Sequence, residues 1–253
     1  MKFVISEEFR FRESEIKNII QNLPAQGETV YAGRNTVKKV STPHGDLNIK
    51  AFRVPNLINQ IAYRFLRKSK AQRSYEYAQK LADLDIGTPT PIAYATEITA
   101  AAFKKSYYVS QHLDYDFTYR EIIEDGNLKN KEEILIAFSR WMYKVHNAGV
   151  LFKDHSPGNT LIKKTRDGYD FFLVDLNRME FKSLSDEERL RNFERLAPYD
   201  WIYKIMADSY AEIAGYNAHQ TYETMINAMH RFQNSFHARQ RRKKKFKKWL
   251  GRH

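Results

Sequence analysis

The feature that most constrains this chain is the spacing of three polar residues across a hairpin in residues 145–179, VHNAGVLFKDHSPGNTLIKKTRDGYDFFLVDLNRM. Asp154 is followed five residues later by Asn159, and Asp175 comes after an intervening hairpin. Residues 160–163 and 169–174 read as short strands joined by a turn at Arg166-Asp167-Gly168. Asp154 and Asn159 then lie on a loop entering one strand, and Asp175 lies where the next strand ends. A hairpin is expected to bring such positions together. Two carboxylates and an amide oxygen suit Mg²⁺, a hard cation that prefers oxygen ligands and keeps waters and phosphates in its remaining positions.

Phosphoryl transfer needs such a set: one carboxylate to orient or deprotonate the attacking hydroxyl, and an Asn and an Asp to hold the metal that bridges nucleotide phosphates. D-x-x-x-x-N followed by a strand-terminal Asp resembles the lower-lobe signature of the protein-kinase-like fold. Taken alone, D-x-x-x-x-N is as readily a polar turn on any surface. The flank favours the kinase reading, because the preceding helix ends His146-Asn147-Ala148-Gly149-Val150, as kinase helices do before this loop.

A chain of 253 residues is long enough for one large domain or two packed lobes, and 42% hydrophobic content argues against disorder. The absence of cysteine excludes a disulfide framework and thiolate chemistry and is compatible with a reducing cytoplasm. The opening MKFVISEEFRFRESE turns charged after four residues, unlike a secretory signal, and no apolar run approaches the roughly 18–20 residues of a membrane span. The net charge of +12 is unevenly placed. Ten of the 42 Lys and Arg fall in residues 231–253, which hold no Asp or Glu, so the rest carries 32 basic against 30 acidic residues. The charge is a tail.

In chain order, residues 3–5 and 9–11 read as short leading strands. Residues 28–32 and 36–41 form two strands around the tight turn Gly33-Arg34-Asn35, and residues 47–52 alternate as a half-buried third strand carrying Lys50. This turn is expected to cover nucleotide phosphates, although it lacks a full G-x-G-x-x-G and reads equally as an ordinary hairpin. Residues 56–81 read as one helix, with Leu57, Ile58, Ile61, Ala62, Phe65 and Leu66 at helical spacing. Between Leu47 and Ala82 the only acid is Glu76, among eight basic residues. It is expected to hold Lys50 on the nucleotide phosphates; the competing reading is a local pair with Arg73 or Lys80.

After Gly87-Thr88-Pro89-Thr90-Pro91, a strand pair (92–96 and 107–111) runs into a hinge at His112-Leu113-Asp114, whose backbone is expected to read an adenine edge. Residues 131–146 form an amphipathic helix, and its His146 is expected to be structural rather than catalytic. Beyond Asp175 a helix begins within about ten residues at a Ser185/Glu188 capping box. No long activation segment fits there and no A-P-E follows, which points to a small or lipid-linked hydroxyl as acceptor rather than a peptide. Helices over 186–196, 198–214 and from Ala218 onward complete the chain.

The order Gly33-Arg34-Asn35, Lys50, Glu76, Gly87-x-Pro89-Thr90-Pro91, His146, Asp154, Asn159, Asp175 resembles the lipopolysaccharide core kinase (Kdo/heptose kinase) family over residues 28–215. The resemblance implies an α+β, bilobal protein-kinase-like fold: a small antiparallel-sheet lobe (1–111), a mainly helical lobe (112–230) and a basic C-terminal helix (231–253). It implies ATP and Mg²⁺ as cofactors, Asp154 as base, and Lys50 with Glu76 on the phosphates. It also implies nucleotide contacts from Gly33, Arg34, Asn35, His112 and Leu113, with Asn159 and Asp175 as metal ligands. The acceptor it implies is a lipid-linked core sugar at the cytoplasmic face of the inner membrane. Phe246, Trp249 and Leu250, at i, i+3 and i+4, give the tail an apolar stripe suited to an anionic membrane surface. Nucleic acid is not expected, since no groove-reading motif accompanies the charges. Two other readings remain open: a small-molecule or RIO-like protein kinase, and a pseudokinase whose tail binds a partner or nucleic acid.

Overall fold

The computed structural model describes residues 1–54, 67–98 and 103–249, and the chain divides into two compact units. The first joins Met1–Asp114 to Phe172–Asn177, so the segment bearing Asp175 belongs to the N-terminal unit. Its frame is a six-stranded antiparallel sheet in the order β1-β5-β6-β4-β3-β2, made of Lys2–Ile5, Pro91–Ile98, Phe103–Gln111, Leu47–Phe52, Thr36–Val40 and Glu28–Ala32. Side chains alternate across a strand, and β4 shows what this does for the site. Leu47 and Ile49 enter the core beneath α1 (Glu13–Gln21), with Ile16, Ile20, Ile92 and Val109. Phe52 packs on the other face with Ala71 and Tyr75 of α2 (Lys70–Asp83). Lys50, two residues before Phe52, therefore lies on the α2 side of the sheet.

Two expected elements differ. Residues 9–11 are not a strand but part of a 3-10 turn, Glu7–Arg12, leading into α1. Phe9 and Arg12, three apart, turn inward while Phe11 stays 72% exposed; a strand would have put Phe9 and Phe11 on one face. The buried Arg12 side chain then bonds Glu15 and Thr42 Oγ1, fixing the turn at the end of β3. The helix expected over 56–81 does not run unbroken. Ser69 caps a helix that starts at Lys70, its Oγ accepting from Gln72 N at 3.0 Å. The apolar positions from Leu57 to Leu66 lie outside the described residues.

The second unit, Tyr115–Phe171 with Arg178–His253, is mainly helical. It contains β7 (Phe117–Thr118), α3 (Tyr119–Glu124), α4 (Lys131–Asn147), β8 (Val150–Phe152), β9 (Thr160–Thr165), all but the last two residues of β10 (Gly168–Leu173), β11 (Met179–Phe181), α5 (Asp186–Arg191), α6 (Asp200–Ala214) and α7 (Ala218–Trp249). β10-β9-β7 and β11-β8 are its small sheets. Of the apolar face expected for α4, Ile134, Leu135, Phe138, Met142 and Val145 are buried and Trp141 is partly buried; the helix packs against α6, whose Tyr203, Met206 and Tyr210 are buried as well. Between α4 and β8 the backbone turns at Gly149 with φ +74°, where a Cβ would meet Lys182 O at 2.8 Å; only glycine fits so close a pass. The capping box at Ser185 is present, but α5 stops at Arg191 rather than 196. Gly215 ends α6 in the left-handed conformation, as its sequence position predicts.

Candidate active site

In the first unit the site is built around Lys50 and Asp175. Lys50 Nζ lies 2.8 Å from Asp175 Oδ1, and both side chains are partly buried. Asp175 follows the end of β10 with φ +60°, a left-handed conformation that Asp tolerates better than most side chains. Asn177 Nδ2 donates to the same Oδ1, while Asn177 Oδ1 is buried with no partner. Thr88 helps set this segment, its Oγ1 donating to Leu173 O at 2.9 Å.

Around this pair sits an excess of positive charge. Lys70, the first residue of α2, is held below the usual lysine range by burial first. Arg34 then adds like-charge repulsion, Asp175 opposes it, and Arg73 and Lys50 add to it. Arg73 Nε is buried and unpartnered. Lys70 thus feels three other cations and one carboxylate, of which Lys50 alone is paired with Asp175. Such a cluster stores repulsion that a polyanion relieves, and the triphosphate of a nucleotide is one.

The expected Lys50–Glu76 pair is absent. Glu76 instead accepts from Lys68 at 2.8 Å and from Gln72 Nε2 at 2.9 Å, and these partners, against burial, hold its carboxyl below the usual carboxylate range. The reason is local: Gln72 stands one helical turn before Glu76, and Lys68 sits just ahead of the helix, whereas Lys50 is already matched by Asp175. Of the β2–β3 turn, Gly33 N–H donates to Asn35 O at 3.1 Å, and Asn35 Oδ1 accepts from Arg53 N at 3.3 Å. At the hinge, His112 N–H donates to Asp46 O at 2.8 Å, so that amide is not free for a base edge; Leu113 and the carbonyls remain.

In the second unit Asp154 follows β8 on a tightly bonded loop. Its carbonyl accepts from Ser156 N at 2.8 Å and from Asn159 Nδ2 at 2.7 Å. Because its amide nitrogen is taken, Asn159 has its side-chain oxygen left to coordinate a cation. Arg195 Nη1 lies 2.6 Å and Arg178 Nη1 3.5 Å from Asp154 Oδ1. Two buried histidines support the loop. His146 Nδ1 faces Tyr210 Oη at 2.9 Å and Nε2 faces Asn192 Oδ1 at 3.2 Å; an amide oxygen only accepts, so Nε2 carries the proton and Nδ1 accepts from the tyrosine. Asn192 Nδ2 then donates to Phe152 O at the end of β8. Burial pushes His146 down to about 4 and His155 down to about 3, so both are neutral at physiological pH. His146 is structural, as its sequence setting suggested.

The structure therefore brings Lys50 to Asp175 and Asn159 to Asp154, one grouping in each unit, and leaves Glu76 out of both. Lys70, Arg73, Arg178 and Arg195 were missed by sequence reasoning. For Lys70 and Arg73 the signal was present in the eight basic residues around one acid; Arg178 and Arg195 had none.

The model of the family described as "Lipopolysaccharide kinase (Kdo/WaaP) family" matches residues 26–216. A solved structure, "WaaP in complex with acyl carrier protein", superposes with a TM-score of 0.62 over 93% of this chain and 98% of that one, at 14% identity. That likeness is one of fold: an N-terminal antiparallel sheet followed by a helical C-terminal region. No curated protein matches the sequence.

Proposed function

Because the chain belongs to the lipopolysaccharide kinase (Kdo/WaaP) family and is thus an ATP-dependent phosphotransferase, we propose that its acceptor is a sugar hydroxyl, of Kdo or heptose, on a lipid A–core precursor. We place the reaction at the cytoplasmic surface of the inner membrane. Among the described residues no helix is long and apolar enough to cross a membrane, so contact with lipid falls to the basic end of α7. The acyl carrier protein seen with WaaP is a second partner that such a helix would suit.

The observation that carries this reading is the Lys50–Asp175 pair inside its cluster of cations. Lys50, Lys70, Arg34 and Arg73 bind the triphosphate, and Leu113 with the hinge carbonyls receives the base. Asp175 and Asn159 would hold Mg²⁺; their oxygens, with the orphaned Oδ1 of Asn177, are the hard donors this ion prefers. When bound, the ion offsets charge on the phosphate oxygens. Asp154 takes the proton of the sugar hydroxyl, whose oxygen attacks the γ-phosphorus as the bond to ADP breaks. Catalysis of this kind rests on positioning and electrostatics more than on covalent chemistry. A pseudokinase would have no use for both an intact Lys50–Asp175 pair and the Asp154–Asn159 loop.

The test is turnover of ATP with purified lipid A–core precursors, with the product read by mass for one added phosphate. Asp154→Ala should lower kcat by roughly 10²–10⁴ while leaving the melting temperature near that of the native chain. Near-normal phosphorylation by that variant would reject the assignment of the base.

A further inference from the structure

Arg195 lies between α5 and α6, in a segment with no catalytic motif. Its Nη1 donates to Asp154 Oδ1 at 2.6 Å and to Lys153 O at 3.1 Å. The neighbours of Arg195 are fixed. Phe193 and Leu196 are fully buried, and Tyr203 Oη donates to Phe193 O at 2.9 Å and Ala197 O at 3.2 Å. On its other side the guanidinium carbon stands 5.4 Å from the centre of the Phe232 ring on α7, within cation–π range. The Phe232 turn is in turn anchored, since Met225, Ile226, Ala228 and Met229 on the preceding turns are buried.

A carboxylate on a loop rotates about its last bond and offers either oxygen to a hydroxyl. Here both arginine contacts fall on Oδ1, which leaves Oδ2 as the oxygen that takes the proton. Of the two, Arg195 is the better placed to hold that choice: its contact is shorter than that of Arg178, and its side chain is 30% exposed against 64%. We infer that Arg195 is a positioning residue for Asp154, and that Phe232 of the C-terminal helix, packed on its guanidinium, sets the geometry of the base. The inference rests on Asp154 being the base. It ties α7 to the chemistry through its well-packed half, separately from any role of its basic end.

The experiment uses the full chain, ATP and a lipid A–core acceptor that supports turnover, with Asp154→Ala run in parallel. Arg195→Ala should lower kcat by about 10- to 100-fold, the scale of a misplaced catalytic group, with KM for ATP within about two-fold of the native value. Arg195→Lys should recover part of the loss. Added guanidinium ion should restore part of the Arg195→Ala rate in a saturable way, against NaCl at equal ionic strength, and do nothing for Asp154→Ala. Phe232→Ala should lower kcat by a few-fold, and its loss combined with Arg195→Ala should be less than the product of the two, because residues acting as a unit are non-additive. If Arg195→Ala does not fold, Arg195→Lys and Phe232→Ala carry the same kcat-against-KM comparison. Unchanged or raised kcat in the arginine variants, or a loss confined to the KM for ATP, overturns the inference while an inactive Asp154→Ala keeps the base. A fully active Asp154→Ala would instead remove the reading on which the inference stands.

Discussion

Lowering the pH from 7 to 5 should destabilise the second unit through His146 and His155. Both are essentially inaccessible, at 0% and 1% exposure, and both titrate below an unfolded histidine, at about 4 and about 3. Below about pH 6.5 the unfolded chain binds protons that the folded chain refuses, so stability falls as the pH falls. Their contribution is fully present above pH ~6.5 and is lost on the way down to about 4 for His146 and about 3 for His155. Within that window each histidine costs about 1.4 kcal/mol per pH unit, and integration from pH 7 to pH 5 gives about 2 kcal/mol each, or about 4 together. Against a total of roughly 5–15 kcal/mol this is a large share. Urea unfolding at pH 7, 6 and 5 measures it, provided the slope against denaturant stays constant. His146→Gln should be less stable at pH 7, because the bonds to Tyr210 and Asn192 are disturbed, yet lose only about half as much on acidification. Parallel pH curves for the native chain and His146→Gln would refute the reasoning.

Two further outcomes follow from the same geometry. Losses in kcat/KM for ATP from Lys50→Met and Asp175→Asn should be strongly non-additive, and those from Lys50→Met and Glu76→Gln additive, because Lys50 meets Asp175 and Glu76 meets Lys68; a cycle with the opposite pattern would restore Glu76 as the partner. Deleting residues 239–253 should release the enzyme from anionic vesicles and lower turnover of a membrane-embedded acceptor while sparing a soluble analogue; vesicle sedimentation and the two rate measurements check it, each basic residue being worth about 1 kcal/mol near such a surface.

Strands were legible where alternation and turn residues agreed. β2, β3 and β4 fall within a residue of their expected bounds because Gly33-Arg34-Asn35 separates the first two and alternation marks the third. The 3-10 turn at Glu7–Arg12 was not, since Phe9 and Phe11 alternate like a strand and only tertiary burial of Arg12 decides otherwise. Motif spacing gave Asp154, Asn159 and Asp175 without giving their partners. An ion pair depends on which groups meet in space, and Glu76 was read for its rarity among cations, when the excess of cations was the better clue. Arg195 was invisible for the same reason: it stands 41 residues from the carboxylate it holds.

The C-terminal helix poses the remaining physical question. Its first half is anchored by Thr221, Met225, Ile226 and Met229, and the contact of Phe232 with Arg195 continues that packing. Past that turn Phe236 and Phe246 are largely exposed, at 45% and 59%. The charge increases just where burial diminishes. Arg239 with Lys243 and Arg241 with Lys245 stand four apart on a helix, and like charges so placed cost roughly 0.2–0.5 kcal/mol a pair. Residues 239–246 are exposed, the charge of the rest of the chain is nearly balanced, and the repulsion within the run costs the helix free energy. An anionic surface reverses the sign of that cost. The proposed lipid contact thus accounts for why the sequence keeps a helix there, and why the charge lies beyond Phe232 rather than around it.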